Sequence, residues 1–236
     1  MIYEILMLIN SGNHCLIGGT TGSGKSVLLN NCLDYLLCTQ TPKDYSLILF
    51  DTKVVELQKY RNMVHVDSYL TDIEHINGKM RALITLMNNR YKEMSKHNLV
   101  KWDGQKIIVV IDEIADILTA FGAESKKFKQ YLTILLAKSR ASGINFIVCT
   151  QAPNRKILSA EIVLNIPTRC ALRCLSSIES RQIINQTGAE NLPKYGQCFL
   201  LSPDLLKPTC YSFGMVNEST LNEHIKMWCK GGKMIC

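Results

Sequence analysis

Residues 14–30 read HCLIGGTTGSGKSVLLN. A short apolar run (14–18) meets GTTGSGKS (19–26), and a segment with apolar residues at helical spacing follows. The central eight residues satisfy the pattern Gly, four residues, Gly-Lys-Ser. They lie between a predicted strand and a predicted helix, the context that pattern requires. Glycines in such a turn let the backbone curl round an anion without Cβ clashes. The loop amides and the N-terminus of the next helix then face the negative charge. The pattern assigns Gly19, Thr20, Thr21, Gly22, Ser23, Gly24, Lys25, Ser26 and Val27 to a nucleotide, ATP. Lys25 would reach the β- and γ-phosphates, and the Ser26 hydroxyl would ligate Mg2+.

Further along, residues 107–113 read IIVVIDE, an apolar strand that ends in two carboxylates. Asp112 would hold Mg2+, and Glu113 would polarise an attacking water as general base. Taken alone, Asp-Glu after a strand also reads as the cap of a helix. FIVCTQ (146–151) ends another strand, so Thr150 or Gln151 would sit beside the γ-phosphate and orient water. A Thr-Gln pair is otherwise an ordinary polar strand end.

The apolar patterning places these motifs in an α/β chain. Continuous apolar runs at 14–18, 45–51, 106–112 and 144–150 predict buried strands. Helices are predicted at 25–38, at 71–95 and around Phe128 to Leu136. Thr71 and Glu74 fit a capping box for the long one. Apolar strands alternating with helices indicate a parallel sheet covered on both faces. After Pro167 the elements shorten: a helix at about 177–186, then QCFLL and TCYSFGM as antiparallel edge strands, and a last helix over about 218–229.

Composition agrees with one folded domain over residues 1–236: hydrophobic residues are 47% and charged residues 20%. The net charge is +7, and the segment 124–181 carries all of it, with ten basic and three acidic side chains. Such clustering fits a polyanion partner or a solvated face. Ten cysteines show no CxxC spacing, and the five histidines do not fall at ligand spacing around them. They read as small hydrophobes in a reducing cytoplasm. No stretch approaches the ~20 apolar residues that span a bilayer, so no direct membrane insertion is expected.

Taken together, these motifs resemble the motor domain of the FtsK/SpoIIIE branch of the FtsK–HerA translocases, over nearly the whole chain. HCLIGGTTGSGKSVLLN, LILFDTK, VVIDEIADIL, LLAKSRASGINFIVCTQAP, LNIPTRCALRC and SSIESRQIINQTGAENL follow the family's order. The resemblance implies a RecA-like P-loop NTPase core. It implies an ATPase that forms a ring, typically a hexamer, around double-stranded DNA, with ATP between subunits. Arg140, in KSRASG, matches the family's arginine finger; a helix-terminal Arg that complements the dipole is the plainer reading. Arg181, in ESR, matches a DNA-facing arginine. The Arg that usually follows Thr-Gln is Ala152 here, and Arg155 and Lys156 lie close by as candidate DNA contacts. The second strand ends Asp51-Thr52-Lys53 without the family's Pro, and Lys53 would approach the nucleotide or a neighbour, or be a solvated strand end. The short chain reads as a minimal motor without membrane, linker or winged-helix segments. That suits viral genome packaging or transfer of a mobile element, with a capsid portal or membrane channel as partner. Conjugative coupling, chromosome segregation and type VII-like protein secretion are the alternatives.

Overall fold

In a computed structural model, residues 12–214 and 217–229 are described. The N-terminal MIYEILMLIN and the tail KGGKMIC lie outside them. The apolar runs form one eight-stranded sheet in the order β3-β2-β4-β5-β1-β6-β7-β8. The strands are β1 (Cys15–Gly18), β2 (Tyr45–Phe50), β3 (Val66–Leu70), β4 (Lys106–Ile111), β5 (Ile144–Thr150), β6 (Thr168–Ala171), β7 (Gln197–Leu201) and β8 (Thr209–Ser212). From β3 to β6 every pairing is parallel, while β6–β7 and β7–β8 are antiparallel. The expected antiparallel additions are therefore present at the C-terminal side.

Alternate residues along the central strands feed opposite faces, as strand geometry requires. One face gathers Leu16, Phe50, Val109 and Val148 under α2 (Ile73–Lys96), α3 (Ile114–Ala120), α4 (Ala123–Lys138), α5 (Ala160–Leu164) and α6 (Ser177–Ile184). The other gathers Ile17, Leu49, Val110 and Cys149 under α1 (Lys25–Thr39) and α7 (Glu218–Met227). Among the described residues no helix is long and apolar enough to cross a membrane.

The second face is rich in sulfur. Cys15, Cys32, Cys149, Cys170 and Cys198 are all buried, and the nine cysteines among the described residues are free. Burial pushes the Cys149 thiol up to about 12, and Cys32 stands well above its ordinary value for the same reason.

Three details differ from the sequence expectation. The long helix is capped by Asp72, not Thr71: Asp72 has extended backbone and its side chain accepts from His75 N at 3.0 Å. VDSYL forms the edge strand β3, which the patterning did not single out, because only one of its five residues is buried. The segment after Glu113 folds as the short helix α3, separated from α4 by Gly122 at φ 53°.

Candidate functional site

Parallel strands deliver their loops to one end of the sheet, and ligands of open α/β sheets bind outside those carboxyl ends. β1 ends at Gly18, next to Thr150 of β5 and Ala171 of β6. The chain from Gly19 to Gly24 then bends back into α1, with Gly22 at φ 74° and Gly24 at φ 96°. Both angles lie in the left-handed region that disfavours a side chain. The base of the loop is tied down: Gly19 N donates to Thr150 O (3.2 Å) and Thr20 N to Arg173 O (2.9 Å). Packing below it is close. A Cβ at Gly18 would lie 2.6 Å from Ile183 Cδ1, so α6 rests directly on the loop.

At the start of α1, Lys25 is 3% exposed, and its Nζ lies 2.7 Å from Asp112 Oδ1 and 2.9 Å from Asp112 O. Burial alone would lower the amine, yet its pKa is raised. Cys149 is neutral at pH 7, as its own value near 12 requires, so the carboxylates Asp112 and Glu113 carry that rise. Burial pushes Asp112 upward, and the Lys25 charge pulls it only partly back. In this structure the buried amine is thus held by the carboxylate assigned to the metal.

Glu113 caps α3, its Oε1 accepting from Ala115 N (3.1 Å). Its Oε2 accepts from Gln151 N (2.7 Å). The cap reading and the candidate-base reading therefore describe one side chain held by two amides. Burial raises its pKa, which makes it a stronger base than an exposed glutamate. Gln151 Oε1 accepts from Thr21 Oγ1 (2.7 Å), which joins the strand tip to the phosphate loop. Sequence motifs 130 residues apart meet there.

The donor set fits ATP·Mg. Ser23 Oγ is buried within the loop without a hydrogen-bond partner among the described residues, and the first-turn amides of α1 have no intrahelical acceptor. Ser26 and Asp112 supply the hard oxygens that Mg2+ selects. A bound Mg2+ would neutralise charge on the phosphate oxygens. Lys25 would turn to the phosphates, and Glu113 and Gln151 would hold a water.

The sequence missed Glu56. Ser26 Oγ donates to Glu56 Oε1 at 2.6 Å, although the residues are 30 apart. Lys53, three residues earlier, pairs with Asp116 at 3.1 Å and is half exposed.

Arg140 sits at the other end of the sheet. It follows the Ser139 cap of α4 and precedes β5, and its guanidinium donates to Asn13 Oδ1 at 3.1 Å. β5 spans seven residues, about 20 Å of rise at ~3.3 Å per residue, so Arg140 cannot reach its own phosphate loop. It is exposed beside a cavity of about 470 Å³ that Lys101, Trp102 and Lys106 also line. Arg181, on α6, is exposed, and so are Arg155 and Lys156, in the turn that follows the carboxyl end of β5.

His14 anchors the Arg140 end. It is fully buried, and its Nδ1 accepts from Phe146 N at 3.1 Å. Burial first, and the charge of Arg140 second, lower its pKa from 6.5 to about 3. The unfolded chain therefore takes up this proton first as pH falls. The native state should lose about 1.4 kcal/mol per pH unit below 6.5, down to about pH 3. Urea midpoints should accordingly fall between about pH 7 and pH 5, by about 2 kcal/mol in stability. His14→Gln keeps an acceptor, cannot titrate, and should flatten that part of the slope; an unchanged slope would remove His14 as its cause.

Asp34, Cys38 and His224 also meet, joining α1 to α7. His224 Nδ1 is shared between Asp34 Oδ1 (2.7 Å) and Cys38 Sγ (3.4 Å). These contacts make the trio a hydrogen-bonded staple between the two helices.

A profile of the FtsK/SpoIIIE family matches residues 3–106. The chain is 30% identical to the DNA translocase FtsK of Shewanella oneidensis, over 93% of this chain and 28% of that protein. It thus spans under a third of that relative's length. Among solved structures, the pCW3 conjugation coupling protein TcpA with ATPγS superposes with a TM-score of 0.79 at 24% identity, covering 92% of this chain and 65% of that one. The cytoplasmic domain of the type VII secretion ATPase EccC from Thermomonospora curvata superposes at 0.72 and 21%, covering 94% and 28%.

Proposed function

We infer, from a chain that belongs to the FtsK/SpoIIIE family of P-loop ATPases, that it hydrolyses ATP to move double-stranded DNA through a ring of its own copies. The observation that carries this reading is the separation of two halves of one site. Lys25, Asp112, Glu113 and Gln151 gather at the carboxyl end of the sheet, while Arg140 stands exposed at the opposite end. A complete site then needs a neighbour's Arg140. Head-to-tail contacts of that kind close into a ring, of six subunits in this reading. Residues 1–236 act as one motor domain in the cytoplasm, with ATP and Mg2+ as cofactors.

Arg181, Arg155 and Lys156 are the DNA contacts in this reading. All three are exposed, and backbone phosphates accept any nearby cation without sequence readout. The process served is viral genome packaging or transfer of a mobile element through a portal or channel.

The deciding assay is ATP turnover of the assembled protein with and without double-stranded DNA. Stimulation by DNA is expected; turnover indifferent to DNA would overturn the translocase reading and favour protein cargo. Arg181→Ala is expected to weaken DNA binding and to reduce the slope of log K against log salt by about 0.9, the value for one lost phosphate contact. Fluorescence anisotropy over a salt series measures it, and an unchanged slope would take Arg181 out of the interface.

A further inference from the structure

We propose that Glu56 is a positioning residue of the metal site, holding the Ser26 hydroxyl so that its lone pairs face the Mg2+ of bound ATP·Mg. The inference rests on the ATPase reading above and goes beyond it.

A hydroxyl has one O–H and two lone pairs. As a metal ligand it must offer a lone pair, so its single hydrogen has to point elsewhere. Here that hydrogen has a destination: Ser26 Oγ donates to Glu56 Oε1 at 2.6 Å, on the first turn of α1. Because Mg2+ demands near-ideal octahedral geometry, a freely rotating hydroxyl is a poorer ligand than a fixed one. Partners behind metal ligands orient them in this way.

The local backbone is built to deliver this carboxylate. Asp51 is fully buried at the end of β2. Its Oδ1 accepts from Val55 N (3.3 Å), and its Oδ2 accepts from Leu57 N (3.1 Å) and the Tyr69 hydroxyl (3.2 Å). The residues on either side of Glu56 are thus clamped by one carboxylate. Leu57 is also fully buried in the α1 face of the core. Val54 takes φ 57°, a left-handed conformation that is an outlier for a β-branched residue. Such strain persists only where the surroundings impose it. Together these contacts fix the turn that carries Glu56.

Charge points the same way. Asp51, Glu56, Asp112 and Glu113 share this region with one buried cation, Lys25. The surplus of negative charge suits a dication. A plain helix-dipole role for Glu56 is the alternative, and it would act equally with and without metal.

The test is the affinity of the intact chain for a fluorescent ATP analogue, titrated with Mg2+ and repeated in EDTA. The variants are Glu56→Ala, Glu56→Gln, Ser26→Ala and the double variant Glu56→Ala/Ser26→Ala. Glu56→Ala is expected to raise the Mg2+ midpoint about 10-fold or more, as loss of an outer partner does, and to bind as wild type in EDTA with an unmoved Tm. Glu56→Gln keeps an amide oxygen that can accept the Ser26 hydrogen and should lose less. The double variant should bind no worse than Ser26→Ala alone. An unchanged Mg2+ midpoint in Glu56→Ala, an equal loss with and without metal, or additive effects in the double variant would overturn the inference while leaving the ATPase reading in place. A wild-type chain with no Mg2+-dependent nucleotide affinity would overturn both.

Discussion

Arg140→Ala is expected to cut ATP turnover of the assembled protein by about 10³–10⁵-fold, the range in which arginine fingers act. Its physical basis is charge: a guanidinium beside the γ-phosphate offsets the negative charge that spreads over the equatorial oxygens in the transition state. In the ring reading that charge comes from a neighbouring subunit. β5 places Arg140 about 20 Å of strand rise from Thr150 and the phosphate loop. Such geometry makes a stronger demand than loss of rate. Mixing Arg140→Ala with Lys25→Ala should restore turnover, because some interfaces then pair an intact Lys25 with an intact Arg140. Neither variant alone should recover. Absence of any recovery in mixed assemblies would withdraw the finger and leave Arg140 as a helix-end residue held by Asn13.

Glu113→Gln is expected to retain ATP binding and lose about 10²–10⁴-fold in hydrolysis, the contribution of a positioned base. The amide keeps an oxygen for one of the two backbone donors, Ala115 N or Gln151 N, so the loop should stay in place. What it loses is proton affinity. Burial raises the wild-type carboxyl above its ordinary 4.5, so the acid limb of the wild-type pH–rate profile should lie above 4.5. In Glu113→Gln that limb should vanish along with the rate. A variant that hydrolyses ATP at wild-type speed would return Glu113 to its capping role alone.

The parts of this molecule legible in the sequence are those whose cause is local. The glycine pattern of 19–26 needs only its own backbone, and four buried strands announce themselves by continuous apolar runs. β3 was not legible because an edge strand with four partly or fully exposed residues has no such run. Asp72 took the cap from Thr71 through a one-residue difference in where the helix begins, below the resolution of pattern reading. Glu56 lay beyond local reasoning for another reason: its partner Ser26 belongs to a different strand–helix unit, and only the β2 turn brings the two together. Likewise, no spacing rule joins Cys38 to His224, which are 186 residues apart.

The buried sulfur between the sheet and α1 has a practical consequence. Thiolate is the form that reacts. In the native chain burial keeps Cys32 and Cys149 protonated; hydrogen bonds to neighbouring cysteines, and then burial, do so for Cys170 and Cys198, and all four are out of reach. Unfolding returns them to ordinary thiols, near pKa 8.5, all at once. The folded chain should therefore resist air, whereas the opened chain should cross-link. Refolding should need a reductant even though the native protein contains no bond that a reductant could break among its described residues.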